Sequence, residues 1–161
     1  MAVNRETKVE TSVQTYAMAR LRADGWSEDR LTFLEEFPHY GFFDGDLTTN
    51  YCAFGFNFDD QGRPAELGSA LRKRIYTLEF FLFGQDELNA KSAANDIKFA
   101  LDVDEIVPLL DVGEMGMPPV DALLVKGASA QKVLIADPKP FERHVWLATA
   151  RVEDEYYPAA P

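Results

Sequence analysis

The order of secondary-structure patterns in the sequence predicts an α+β domain with a mostly antiparallel sheet and helices packed on one face. Three observations carry this prediction: a helix pattern opens the chain, several strand patterns follow one another through turns, and one further helix pattern lies in the middle. Strands joined by turns pair antiparallel, whereas parallel neighbours need long crossovers. A chain of 161 residues is long enough to form one hydrophobic core. We expect a single domain over residues 1–161, with flexible ends at about 1–6 and 159–161.

The first helix is predicted over residues 7–23. Thr7 and Glu10 have the spacing of a capping box, apolar residues recur every three or four positions, and Asp24-Gly25 supplies a stop. The apolar stripe is narrow, so one side of this helix should pack against the sheet or a neighbouring subunit while the other faces solvent.

The first half of the chain also carries three strand patterns. Residues 31–37 read as a strand, and residues 38–50 read as a loop punctuated by two glycines. Residues 51–58 alternate with the period of two that is typical of a half-buried strand. Residues 71–83 are rich in β-branched and aromatic side chains and end in a continuous apolar run, so we expect their second half to be covered on both faces.

A second helix is predicted over residues 85–101. Asp86 is the expected N-cap, and small alanines along one side let the helix lie close to the sheet. The next apolar run, residues 106–110, contains Pro108, which cannot donate to a strand ladder and therefore indicates an edge strand or the end of a strand.

The last third of the sequence predicts a loop and three more strands. Residues 111–119 form the loop, and two short strands are expected at residues 120–125 and 131–136, on either side of Gly127. A long final strand is expected over residues 142–155.

Composition excludes several classes of function. The chain has 16 Lys and Arg against 27 Asp and Glu, a formal charge of −11, which disfavours ordinary binding to a phosphate backbone. A single cysteine cannot form an internal disulfide, so a reducing compartment is the default expectation. No apolar stretch approaches the roughly 18–20 residues that span a bilayer, and the first twelve residues lack a hydrophobic signal segment, so we expect no membrane association.

The sequence offers little for catalysis. The nucleophile elbow, the phosphate-binding loop, the dinucleotide fingerprint and the zinc-helix motif are all missing from it. Cys52 could act as a nucleophile with His39 or His144, but its place in an aromatic strand favours a core residue. The acidic clusters lack the spacing of a calcium loop and are interpreted as solvated surface. We expect no catalytic residue, no cofactor and no metal.

Two features favour contact with other proteins. Arg72, Lys73 and Arg74 form the one strong basic run in an acidic chain; they could grip phosphate, but we favour contact with an acidic surface of another copy or another protein. Phe42 and Phe43 are adjacent aromatics in a polar, glycine-bearing loop, and both cannot easily point into one core. Either one of them anchors an interface or the loop folds back over the core.

Four segments follow one another in the second part of the chain: RKRIYTLEFFLFG, IVPLLD, DPKPFERHVW and EDEYYP, with a helix pattern between the first two. In this order they resemble the tail terminator proteins of long-tailed, non-contractile bacteriophages. The resemblance covers residues 51–158, about two thirds of the chain, while the first fifty residues match only as a helix followed by a strand. None of the four segments is a catalytic fingerprint.

The resemblance implies a small α+β subunit of the virion that assembles with copies of itself into a ring, usually a hexamer, at the head-proximal end of the tail tube. Such a ring stops tube polymerisation and joins the tube to the head-completion proteins, and it implies neither an enzyme activity nor a cofactor. DNA would pass through the ring without specific binding, because acidic side chains facing the channel repel it. Asp111 and Glu114, or the acids at 153–155, are the candidates for that lining.

Three other functions stay open at the level of sequence. Another neck component, such as a head-tail closure or tail-completion protein, would share the size and the ring assembly. A small cytosolic enzyme would use Cys52 or the clustered acids. A ligand-binding module would be a monomer with a preformed apolar pocket.

Overall fold

The computed structural model describes residues 5–34, 50–58, 63–64, 71–84, 86–102, 105–110, 121–138 and 144–156. These residues form two helices and seven strands. In chain order they are α1 (Arg5–Ala23), β1 (Leu31–Leu34), β2 (Asn50–Phe58), β3 (Arg63–Pro64), β4 (Arg72–Gly84), α2 (Glu87–Ala100), β5 (Ile106–Leu109), β6 (Asp121–Val133) and β7 (Val145–Tyr156).

The described strands form one curled sheet with the order β1-β2-β4-β7-β6-β5. Strand β3 pairs with the start of β4, beyond the part that β2 covers. Every pairing is antiparallel except that of β1 with β2, which is parallel. The α+β class predicted from the sequence is therefore confirmed.

Both helices lie on the same face of the sheet, and the main core lies between them and the strands. Alternate residues of β4 point into it, because successive side chains of a strand lie on opposite faces. The core residues contributed by β4 and the two helices, all at most 1% exposed, are Tyr76, Leu78, Phe80, Leu82, Val9, Val13, Ala17, Leu21, Ala90, Ala93, Ala94 and Ile97.

A second, smaller cluster lies on the helix-free face. Ala53, Phe83 and Val145 are buried there, and the Phe83 ring stacks on the Tyr51 ring with 5.6 Å between centroids. Because Phe80 and Leu82 are buried on the other face, the second half of β4 is covered on both sides, as its apolar run predicts.

Helix α1 ends through a glycine in the left-handed region. Gly25 has φ of +93°, the amide of Trp26 donates to the carbonyl of Leu21 at 3.0 Å, and the amide of Gly25 donates to that of Arg22 at 3.1 Å. This is the Schellman pattern of helix termination. Leu21 and Trp26 both pack in the main core, which fixes the direction in which the chain leaves the helix.

Replacing Gly25 with Ala should lower the free energy of unfolding by about 1 kcal/mol, because an L side chain is strained at this φ. The added Cβ would meet nothing within 4 Å, so the loss would come from the backbone alone. Gly127→Ala is the matched control: its Cβ also has open space, but its φ is not positive. Urea denaturation should show no comparable loss for the control, and equal losses would refute the backbone explanation.

Helix α2 begins as the sequence predicts. Asp86 is its N-cap, and its carboxylate accepts a hydrogen bond from the amide of Leu88 at 2.8 Å. The side-chain oxygen of the buried Asn50, at the start of β2, accepts a hydrogen bond from the backbone amide of Asp86 at 3.2 Å. The start of α2 is thereby fixed to the sheet as well as capped.

The structure corrects one strand prediction and refines others. The two short strands expected on either side of Gly127 are one continuous strand, β6: the chain makes a register shift against β7 between Val125 and Gly127, and Gly127 pairs with Arg151 instead of forming a turn. Strand β1 ends at Leu34, while residues 35–49, including the predicted loop, lie outside the described part. The expectation that Pro108 marks an edge strand is confirmed, since β5 is the last strand of the sheet order.

Candidate functional site

The candidate interface residues of β4 lie at one end of the sheet. We call this the Arg72 end; it contains the start of β4, the end of β7, the start of β6 and the end of β5. The opposite, Gly84 end contains the end of β4 and the starts of β2 and β7, together with the end of β6. Because β4, β6 and β7 are adjacent and antiparallel, the topology gathers charged residues from distant parts of the sequence at the Arg72 end.

A bidentate ion pair joins the first turn of α1 to this end. The Arg5 guanidinium donates to both carboxylate oxygens of Asp154, at 2.6 and 2.7 Å, and to Asp121 at 3.2 Å. The Asp154 side chain is fully buried, so the desolvation of its carboxylate is offset by these hydrogen bonds. The hydrogen bonds to Asp154 raise the pKa of Arg5, against the opposing effect of burial. Arg5 lies in a stretch expected to be flexible, yet it is held in place.

The basic run is divided between the two faces of the sheet. The Lys73 ammonium lies 3.0 Å from Glu153 on the helix-free face, whereas Arg74 donates to Glu6 of α1 on the helix face. Arg72 is half-buried and is aligned with Tyr156 across the ladder. Two of the three predicted interface cations are thus compensated within the chain, and the role of the run in binding another molecule stays a prediction.

Glu153 forms ion pairs with two lysines. Its two carboxylate oxygens lie 3.0 Å from Lys73 and 3.4 Å from Lys126, while its side chain is 7% exposed. Burial alone would raise the pKa of this carboxyl, but the two ammonium groups outweigh burial and lower the pKa below its ordinary value of 4.5. Since Glu153 and Asp154 are buried and paired, two of the three acids at 153–155 are poorly suited to line a channel.

The pKa shift of Glu153 predicts a loss of stability in acid. A carboxyl whose pKa is lower in the folded than in the unfolded state stabilises the fold above its unfolded pKa, near 4.5, and loses this contribution as the pH falls through the folded value. Glu153→Gln should therefore be less stable than the wild type at pH 7, and the difference should shrink below pH 4.5.

Glu10→Gln is the control with the opposite sign. Burial raises the pKa of Glu10, so its charged form costs stability at neutral pH, and the variant should be more stable than the wild type there. That gain should disappear as the pH falls and Glu10 takes up its proton. Urea denaturation of the three proteins between pH 3 and 7 checks both signs, and parallel pH profiles would refute them.

The other predicted site residues lie outside the described part of the chain. These are the predicted interface aromatics Phe42 and Phe43 and the predicted channel acids Asp111 and Glu114. Described residues flank the last two: Leu110 and Asp121 both lie at the Arg72 end. These four assignments stay predictions.

Cys52 is a core residue, as its place in an alternating strand predicts. It is 0% exposed, and burial raises the pKa of its thiol, which keeps it in the protonated, poorly nucleophilic form. Nδ1 of His144 lies 3.7 Å from Glu87 near the Gly84 end, while His39 lies outside the described residues. Within the described ranges, no three His, Cys, Asp or Glu side chains come together to hold a metal ion.

The structure reveals exposed apolar side chains that sequence analysis missed. Leu88 and Phe99 on α2 are 68% and 70% exposed. They are eleven residues apart, close to three full helical turns, so they lie on one outward face; this spacing was readable from the sequence. Ile106 and Leu134, at 62% and 86%, lie at the start of β5 and just after β6.

Most of the acid excess lies outside the described elements. The described residues carry 14 Lys and Arg against 16 Asp and Glu, whereas the whole chain has 16 and 27. The other residues therefore hold 11 acids and 2 bases. The described scaffold is close to neutral, and the acidic character of the protein belongs mostly to residues outside the described part of the chain.

Comparison with known proteins assigns no family: no protein-family model matches the chain, and no curated protein is significantly similar to it in sequence.

Neither α1 nor α2 combines the length and the apolar character needed to span a bilayer.

Proposed function

We propose that this protein is a structural virion subunit that forms a ring at the head-proximal end of a bacteriophage tail tube. The ring stops tube polymerisation and joins the tail to the head-completion proteins. The observation that carries the proposal is the order of four segments, RKRIYTLEFFLFG, IVPLLD, DPKPFERHVW and EDEYYP, which resemble those of tail terminators. The α+β fold with an N-terminal helix agrees with the type of subunit that the resemblance implies.

The exposed apolar side chains support a role in assembly. Leu88 and Phe99 present a common face of α2 to solvent, and Ile106 and Leu134 add exposed apolar area on other elements. Large apolar side chains at such exposure are stabilised when a partner surface removes them from water. A subunit that contacts copies of itself, the tube and the head-completion proteins has several surfaces of this kind to bury.

The distribution of charge supports passage of DNA without binding. The described scaffold is nearly neutral, so the acids that would repel DNA belong mainly to the other residues, which include Asp111 and Glu114. At physiological salt, repulsion between charges survives screening over about 8 Å. In a narrow channel the carboxylates lie within that distance of the DNA phosphates and therefore repel them. The burial of Cys52 makes the alternative of a thiol enzyme less favourable.

Imaging of particles assembled without this protein tests the proposal. We expect tails of irregular, excessive length that fail to join heads, and recovery of normal particles when the wild-type protein is supplied. Purified protein should also bind to one end of tail tubes made without heads. Tails of normal length in its absence would refute the terminator function, and retention on filled heads instead of tubes would identify a head-closure protein.

A further inference from the structure

The two edges of the sheet are stepped in a complementary way. Strand β1 pairs only with Asn50–Ala53 of β2, and among the described strands residues 54–58 of β2 pair with β4 alone. At the opposite edge, β5 pairs only with Asp121–Leu124 of β6. The rest of β6, from Lys126 to Val133, has β7 as its one described strand neighbour. We call this stretch the β6 recess.

Each projecting strand lies level with, or next to the level of, the recess on the other edge. Strand β1 lies at the Gly84 end, and so does the β6 recess, since Val133 pairs with Val145. Strand β5 lies at the Arg72 end, and residues 54–58 of β2, which have β4 as their one described neighbour, lie opposite Tyr76–Phe80 in the middle of β4. Two copies placed side by side with the same faces aligned, and offset by about four residues along the strands, would therefore bring β1 beside the β6 recess and β5 beside residues 54–58 of β2. In this arrangement β1 of one copy runs antiparallel to β6 of the next.

No described strand occupies the outer edge of the β6 recess. Its middle consists of four small residues, Gly127 to Ala130, so side chains do not keep a second backbone at a distance. Lys126 and Lys132, near its two ends, are compensated by Glu153 and Glu87. Outward-facing amides and carbonyls of an edge strand are satisfied by water or by another strand.

The outer edge of β5 is less suited to pairing, whereas the residues beside β1 and at the end of the β6 recess carry opposite charges. Pro108 interrupts the outer edge of β5, because it has no amide to donate. Just before β1, the Glu28 side chain, 90% exposed and 3.9 Å from Arg22, lies at the Gly84 end, where Lys132 is the next-to-last residue of the β6 recess. Opposite charges therefore flank the two stretches that would meet.

We propose that copies of this chain associate head to tail, with β1 of one copy pairing antiparallel with the β6 recess of the next. The contact joins two different edges, so it is heterologous and generates a closed ring when the rotation closes. The sheet would then continue from subunit to subunit with all helices on one side of it. That the product is a ring on a phage tail rests on the proposed function, whereas the strand pairing can be tested by itself.

Cysteine cross-linking of the full chain tests the pairing. One variant carries Thr32→Cys in β1, and three others carry Ala128→Cys, Ser129→Cys or Ala130→Cys in β6; wild type, whose Cys52 is buried, is the control. Mixing the β1 variant with the β6 variants under mild oxidation should give two-chain products with at least one of them, more than tenfold above each variant alone. A chain with both substitutions should give a ladder of products.

The outcomes separate the pairing from the ring. Cross-linking of a β6 variant with itself, as efficient as in the mixture, would show symmetric β6 pairing and overturn the head-to-tail contact. A wild-type oligomer in sedimentation without any mixed cross-link would overturn the pairing but leave the ring function standing. A single-chain species at every concentration would also overturn the pairing, while tube capping would still be decided by the particles assembled without the protein.

Discussion

Replacing Arg5 with Met should lower the free energy of unfolding by about 3–5 kcal/mol. The substitution keeps an unbranched side chain of similar length but removes the partner of Asp154, whose side chain is fully buried and accepts two short hydrogen bonds from the guanidinium. A buried carboxylate without a partner is costly, because desolvation is no longer offset. Urea denaturation monitored by circular dichroism measures the loss.

A double-mutant cycle distinguishes a buried charge from a general packing defect. Asp154→Leu in the Arg5→Met background removes the unpaired carboxylate, so the double variant should recover a large part of the lost stability. Lys132→Met is the matched control, since it breaks an exposed ion pair with Glu87 and should change stability little. Additive losses in the cycle would contradict the charge explanation.

Replacing Phe80 with Ala should cost about 3–5 kcal/mol. Phe80 is 0% exposed, lies on the helix face of β4 and belongs to the main core that joins both helices to the sheet. Truncation removes the transfer free energy of the ring and leaves a cavity between layers that can close only in part. The same denaturation measurement reports the effect.

Phe99→Ala is the matched control for the loss of a ring. Phe99 is 70% exposed on α2, so its truncation should leave the unfolding free energy nearly unchanged. If both variants lost similar stability, the placement of Phe80 in the core would be refuted.

Local patterns in the sequence predicted much of the fold. The alternation along β4, the alanine face of α2 and the cap at Asp86 are written in residues a few positions apart, where periodicity and capping chemistry operate. Pro108 marked its strand as an edge for a similarly local reason, the missing amide.

Features that depend on distant residues could not be predicted. The partner of Arg5 is 149 positions away, and no pattern near either residue indicates the pair. The parallel pairing of β1 with β2 depends on the path between them, and the continuity of β6 through Gly127 depends on the ladder with β7. The edges of the sheet are likewise defined only once all strands are placed, so the β6 recess could not be predicted from the sequence.

The position of β7 also determines when the molecule can fold. The strand occupies the middle of the sheet, between β4 and β6, although it comes last in the described chain. Until residues 145–156 have left the ribosome, β4 and β6 have no strand to bridge them, and Asp154 cannot anchor α1. The nascent chain must therefore wait for its final strand before it acquires the native sheet, with incomplete edges exposed to chaperones in the meantime.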